Sequence, residues 1–471
     1  DIETIFDEAI NSGMRDAIQD LETAFHDLSL NTGNDSFDVL VRSSATSMTK
    51  LMNQYAKQVE DYYNAELYDF QNGSVADANK ILKELAVLND SIKNAEVAGD
   101  NPLELYDRRN TLIDSLSAYG DIEYNYETKT LAPNIQTDIL HINLKLADGT
   151  KKELINGEKF AQFGTEIVNP AAPGEEAELK NNTVKLYVTN LVEDTTLEFE
   201  DIKKDMEERG KTVTDLTPVY GLTQTVDSDG NPIDVQAFNG KSVTNGIFLG
   251  TLNMLNGSGN YEYGGSTVRG YQYYMEALDT LASTMAAKFN EQNQIAGKTA
   301  EETNLFTMSD GISTDHITAK NISISDAWIQ GDTRITNTTD PVGTGTDTTG
   351  DNSNILKFIA LFKGNHEFTG ASSGIGGSDI KIFEGGFEEF LSSIGEQVAL
   401  DMSTTQKTYE SFLTVCESID NDRMSVSGVS IDEEAVDIYK FQRAYEASSR
   451  VITALDELLD KLINSTGVVG R

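Results

Sequence analysis

Few residues in this 471-residue chain are placed to do chemistry, and they do not converge. The four histidines, His26, His141, His316 and His366, stand far apart. No His-Glu-x-x-His pair exists, which excludes a zinc protease of that type. Gly370-Ala371-Ser372-Ser373-Gly374 has the form of a nucleophile elbow. That elbow requires a buried strand before it, a helix after it, and an acid and a histidine downstream. Here the flanks read as loop and no histidine follows His366, so the match is chance. Asp227-Ser228-Asp229-Gly230-Asn231 resembles half of a calcium loop, but its glycine comes too early and no glutamate closes it. A β-turn is the better account. Gly374, Gly376 and Gly377 lie in no strand–helix context, so a phosphate cradle has no support. His141 falls on the polar face of an alternating stretch and reads as an ordinary solvated residue. Cys416 is the single cysteine, which permits neither an intrachain disulfide nor a thiolate cage. It falls on an apolar helical seam, where a buried small hydrophobe is expected. No catalytic, cofactor-binding or metal-binding residue emerges, and an enzyme is not expected.

Composition points to other classes of partner. Acidic residues number 77 against 36 basic ones, for a formal net charge of −41. Such a surface repels phosphates and anionic headgroups, which excludes nucleic acid and membrane as partners. No apolar run reaches the length of a membrane span, and no secretory signal peptide is visible. The length suits two to four domains.

The elements that would have to position any site follow a helix–strand–helix order. Apolar residues from Ile2 through Ile5, Phe6, Ile10, Leu21 and Phe25 keep helical spacing to Leu30. Asn31 to Asp35 breaks the pattern, and Ser36 is the expected cap of a second long helix. Gln71-Asn72-Gly73 punctuates that helix before a third, and Asn101-Pro102 opens a fourth. Near Gly120 the period changes to two. Leu140, Ile142, Leu144 and Leu146 alternate with polar residues, and Asp148-Gly149 is a hairpin turn. A short helix is expected over Asp201 to Arg209. Helical spacing returns at Tyr271 and ends near Asn293, followed by short strands around Ile317 and over Ile322–Ile324. Thr336 to Asn354 is expected to be an exposed, mobile loop.

The expected fold is α+β: an elongated helical rod built from both chain ends, an inserted β-rich domain and a C-terminal coiled-coil-type helix. Residues 1–120 form the first half of the rod and 121–245 the β-rich insertion. Residues 246–303 are the helical return, and 304–385 hold short strands and loops. Residues 386–426 are a long rod helix and 427–471 an axial assembly helix.

That last helix has the sharpest signal. Ser430 and Glu433 make a capping box, and Asp432, Glu433 and Glu434 suit the positive end of the dipole. Behind the cap, Ile431, Ala435, Ile438, Phe441, Tyr445, Ile452, Leu455, Leu459 and Leu462 form a narrow seam. No other part of the chain is an evident partner for it, so these residues are the expected assembly interface.

Ser427-Gly428-Val429, Asp432-Glu433-Glu434-Ala435 and Phe441-Gln442-Arg443-Ala444-Tyr445-Glu446-Ala447-Ser448 resemble the terminal signature of bacterial flagellar rod–hook axial proteins. Gly246-Ile247-Phe248-Leu249-Gly250 looks like a glycine-flanked turn before a long helix. With Leu278 to Ala282, Ala319 to Ser325 and Gly350 to Asn354, it narrows the resemblance to the hook-associated protein 1 family. In Asp107-Arg108-Arg109, Asn110 replaces the family's second acid. The family's N-terminal apolar helix and its Asn-Ala-Asn-Thr motif are not seen, so the chain looks truncated at its start.

The resemblance implies a structural role at the hook–filament junction, with export through the flagellar type III channel to the cell exterior. It implies a homo-oligomer in the flagellar axis, contacts with hook protein and the filament-side junction protein, and an export chaperone on the C-terminal helix. A hook, rod or flagellin-like subunit, or a β-domain adhesin on a helical stalk, are the competing readings.

Overall fold

The computed structural model describes residues 13–132, 135–169, 179–219, 222–226, 232–236, 240–263, 266–294, 298–338, 350–370, 380–428 and 430–465. It is an α+β protein. Four helices come first: α1 (Met14–Leu30), α2 (Asp35–Asp69), α3 (Val75–Ala98) and α4 (Leu103–Leu116). The cap of α2 is Asn34, whose side chain accepts from the Ser36 N–H at 3.1 Å, so the helix begins one residue before the expected cap. Gln71-Asn72-Gly73 does not stop the helix. A π-helical turn over Phe70–Ser74 carries α2 into α3, because Phe70 and Val75 are both buried and hold the backbone helical. Gly99 in the left-handed region ends α3. Ile2, Ile5, Phe6 and Ile10 lie outside the described residues.

Strands follow as expected, in small antiparallel sheets. β1 (Ile122–Ala132), β2 (Ile135–Lys145), β3 (Lys151–Asn156) and β4 (Lys159–Phe160) pair in that order. Gly149, at φ +78°, makes the turn between β2 and β3, and the Thr150 N–H donates to Asp148 Oδ1. β5 (Phe163–Val168), β6 (Thr183–Val188) and β7 (Thr214–Asp215) form a second sheet, with helix α5 (Phe199–Glu208) between the last two. β8 (Leu222–Val226) and β9 (Pro232–Gln236) form a hairpin whose connecting residues, Asp227 to Asn231, lie outside the described residues. The core side of the first sheet, Leu140, Ile142 and Leu144, is buried, and β2 and β3 pack on α3. Buried polar bonds tie the strands to that helix. Asn89 donates to the Gly157 carbonyl at 2.8 Å, and Asn79 holds both the N–H and the carbonyl of Phe163.

The chain returns through α6 (Gly246–Asn256), the hairpin β10 (Ser258–Tyr263) and β11 (Ser266–Arg269), and α7 (Tyr271–Gln292). The expected glycine-flanked turn at Gly246 is the first turn of a helix. A Cβ on Gly246 would sit 2.5 Å from the Tyr119 carbonyl carbon, so glycine is required there by contact as well as by its φ of +81°. β12 (Phe306–Met308) pairs with β13 (Ile322–Ile324), while Ile317 lies outside any strand. Short α8 (Asp326–Gln330), α9 (Ser353–Phe362) and the hairpin β14 (His366–Gly370) and β15 (Ile380–Gly385) lead to α10 (Phe387–Ser427) and α11 (Ile431–Ser465). Part of the 336–354 loop lies outside the described residues.

Helices from before and after the strands share one core: α1 packs on α9, and α2 on α7. Phe289 is its hub, with ring contacts to Phe25, Phe306, Phe358, Phe362 and Phe387 at 5.3 to 6.4 Å. The chain divides into two compact units, residues 1–396 and 397–471.

Candidate assembly surface

α10 changes character along its length. At its start, Phe387, Phe390, Leu391 and Ile394 are buried. The His366 ring stacks on Phe387 at 4.6 Å, Phe368 stacks on Phe390 at 4.2 Å, and Arg15 donates to Ser392 Oγ at 2.7 Å. His366 is itself buried, with Nε2 2.7 Å from the Leu361 carbonyl. Further on, Met402, Tyr409, Phe412 and Ile419 keep the same spacing but are exposed. Cys416 is exposed too, contrary to the buried position its seam suggested, because the residues around it on α10 are uncovered.

α11 carries every residue of the expected interface on one continuous helix. Ser430 Oγ accepts from the Glu433 N–H at 3.3 Å, which supplies the cap. Ile431, Ile438, Tyr445, Ile452 and Leu459 recur every seven residues, and Phe441, Leu455 and Leu462 follow three behind. Ala435 lies one position further round. The eight large side chains are 53% to 84% exposed. Polar side chains on this helix bond along it: Lys440 to Asp437 at 2.7 Å, Arg443 to Glu446 at 3.3 Å, and Asn464 to Asp460 at 2.6 Å. Such exposed pairs hold the helix weakly. Covering each large apolar side chain is worth roughly 1.5–3 kcal/mol, so the seam as a whole favours a partner.

The residues that could do chemistry are elsewhere and apart. His141 is less solvated than its strand position suggested. Its ring lies between Glu153, 2.9 Å from Nδ1, and Glu127, 3.3 Å from Nε2. Cross-strand neighbours close over a central strand, which alternation alone does not reveal. Most of Gly370 to Gly374, with Gly376 and Gly377, lies outside the described residues. Among the described residues no cluster of three His, Cys, Asp or Glu side chains could hold a metal ion. No described helix is long and apolar enough to cross a membrane.

Sequence reasoning missed a part-buried ion cluster. Lys180 Nζ lies 2.8 Å from Asp279 and 3.0 Å from Glu276, and the Ala319 N–H donates to Asp279 at 2.8 Å. Burial raises the Asp279 carboxyl above its ordinary range, against the opposing pull of Lys180. Asp279 lies 99 residues from Lys180 and 40 from Ala319, so no spacing announces them. Arg109 was also unforeseen as a buried cation: its guanidinium lies 4.7 Å from the Tyr126 ring centre and 5.2 Å from that of Tyr106.

Two family models match this chain. The flagellar hook-associated protein FlgK helical domain covers residues 1–198, and the flagellar basal body rod FlgEFG protein C-terminal model covers 420–465. The chain is 24% identical over its whole length to the flagellar hook-associated protein 1 of Bacillus subtilis, spanning 80% of that protein. It is 31% identical over 20% of its length to the Escherichia coli protein of the same name, spanning 16% of it. The solved flagellar hook junction protein FlgK from Burkholderia pseudomallei aligns with 65% of this chain at 15% identity and a TM-score of 0.41. That alignment spans 44% of the solved chain.

Proposed function

The chain belongs to the flagellar hook-associated protein 1 family, structural components of the flagellum at the hook–filament junction, and on that premise we propose that α11 is its assembly element. The observation that carries this is the exposed heptad seam of Ile431, Ala435, Ile438, Phe441, Tyr445, Ile452, Leu455, Leu459 and Leu462. Copies of this chain lock through these seams in the flagellar axis, with hook protein on one side and the filament-side junction protein on the other. The work is physical: apolar surface covered on assembly supplies the free energy, and no bond is made or broken. Residues 121–245 act as an insertion carried by the helical part, and the assembled copies lie outside the cell after export through the flagellar type III channel.

The C-terminal model matching 420–465 is named for rod and hook proteins, which keeps those subunits as a second reading. The match of the hook-associated helical domain over 1–198 favours the junction. Replacing Ile452 and Leu459 with Asp tests the seam. The expected result is a folded, exported chain that is absent from the junction by labelled-antibody microscopy. Normal incorporation of the double variant would overturn the assignment.

Before assembly the same seam invites aggregation, which an export chaperone prevents by receiving it as a helix in a groove. Calorimetric titration of the matched flagellar chaperone into chains ending at Met424 and at Arg471 should show binding only by the longer one. Equal heats from both would remove α11 from that role.

A further inference from the structure

β1 is the outer strand of its four-stranded sheet, and Ile122 to Thr130 keep unbroken register with β2. The Lys145 N–H donates to the Asp121 carbonyl at 2.8 Å, so odd-numbered β1 positions are the ones that bond to β2. The Gly157 N–H donates to the Leu140 carbonyl at 2.9 Å, which shows even-numbered β2 positions facing β3 and agrees with that parity. The N–H and C=O groups of Ile122, Tyr124, Tyr126, Thr128 and Thr130 therefore point off the edge of the sheet. No described residue bonds to them. Tyr124 and Tyr126 are 51% and 39% exposed, and Asn125, Glu127, Thr128, Lys129 and Thr130 are exposed as well. An edge of this length is a template for another strand.

We propose that this edge pairs antiparallel with the same edge of a second copy, about a two-fold axis at Tyr126. Tyr126 is the midpoint of the regular stretch Ile122 to Thr130, so this axis uses all of it. Tyr126 then faces Tyr126, Tyr124 faces Thr128, and Ile122 faces Thr130, all with outward backbone groups that exchange bonds. Between them, Glu123 meets Lys129 twice in the closer, non-bonded pairs, where side chains lie nearest. Lys151 already sits 2.6 Å from Glu123, so the carboxylate is held between two ammonium groups.

Other axes fail on charge or geometry. One at Asn125 sets Glu123 against Glu127, one at Glu127 sets that residue against itself, and one at Tyr124 sets Asp121 against Glu127. An axis at Thr128 draws in the irregularity between Thr130 and Ala132. Charges along an edge ordinarily discourage pairing. Here they are self-complementary in the one register that the backbone parity and the regular stretch both favour. A two-fold axis reverses direction, so copies in one polar axial series cannot make this contact. It belongs to free copies and is separate from the α11 seam.

Sedimentation velocity on the full chain carrying Ile452→Asp and Leu459→Asp, which silences that seam, tests the contact. A concentration-dependent dimer is expected. Thr128→Pro removes an outward N–H without touching the β1–β2 ladder and should weaken the dimer about tenfold or more. Glu123→Lys should weaken it similarly, and adding Lys129→Glu should restore it. A monomer at every concentration would overturn the proposal. So would a Thr128→Pro chain that dimerises like its parent, or a charge exchange that fails to restore the dimer while circular dichroism is unchanged.

Discussion

α2 and α11 are both 35 residues long and both carry apolar residues on steps of three and four, yet they meet opposite fates. On α2, Val41, Met48, Met52, Tyr55, Val59 and Tyr63 are at most 3% exposed, whereas the eight large side chains of the α11 seam are each more than half exposed. Their polar residues differ in the same sense. Asn53 of α2 donates to the carbonyls of Ala319 and Ile322, and Arg42 to those of Trp328 and Ile329, all more than 260 residues away. On α11 the side-chain bonds of Lys440, Arg443, Thr453 and Asn464 stay within three or four residues. Periodicity announces that a face needs cover; long-range polar contacts are what mark a helix already covered by its own chain.

The contrast can be broken most strongly at the shared core. Phe289→Ala removes the hub of the aromatic cluster around α1, α7 and α9 and should cost about 3–5 kcal/mol, read as a lower urea midpoint for the first unit. A loss below about 1 kcal/mol would mean that the core can close over the cavity.

A smaller, pH-dependent effect is expected at Asp279. Its carboxyl is raised by burial above the ordinary 3.8, so between 3.8 and the raised value the folded chain holds more protons than the unfolded one. Stability from this group therefore falls as pH rises through that window. Asp279→Asn removes the slope, and the advantage of the parent over the variant in urea midpoint should shrink as pH increases from about 4. A parallel pair of curves across that range would remove Asp279 as the titrating group.

The smallest effect belongs to α11. Ile452→Ala should change the stability of the free chain by less than about 0.5 kcal/mol, as expected where a side chain is already in water. The same truncation in assembled material should weaken incorporation, because there it leaves a gap in the seam. A large loss of stability in the free chain would show that α11 is covered by its own chain after all.

Much of this molecule is set by local chemistry. Alternation placed β2 and the turn at Gly149, the apolar period placed α1 to α4 and α7, and Ser430 with Glu433 placed the start of α11. Those signals survive because propensity, capping and one-sided burial act over a few residues. The misreadings have the opposite origin. Gln71-Asn72-Gly73 reads as a stop, but buried Phe70 and Val75 on either side hold it helical as a π turn. His141 reads as solvated until Glu127 and Glu153 arrive from neighbouring strands. Cys416 reads as buried from its seam, yet a seam specifies only a surface to be covered. The sequence by itself determined which faces are apolar, where helices start and which strands alternate. The tertiary structure alone decided which of those faces are satisfied within the chain, because burial, ion clusters such as Lys180 with Asp279, and the place of β1 at the edge of its sheet depend on residues brought together from far apart.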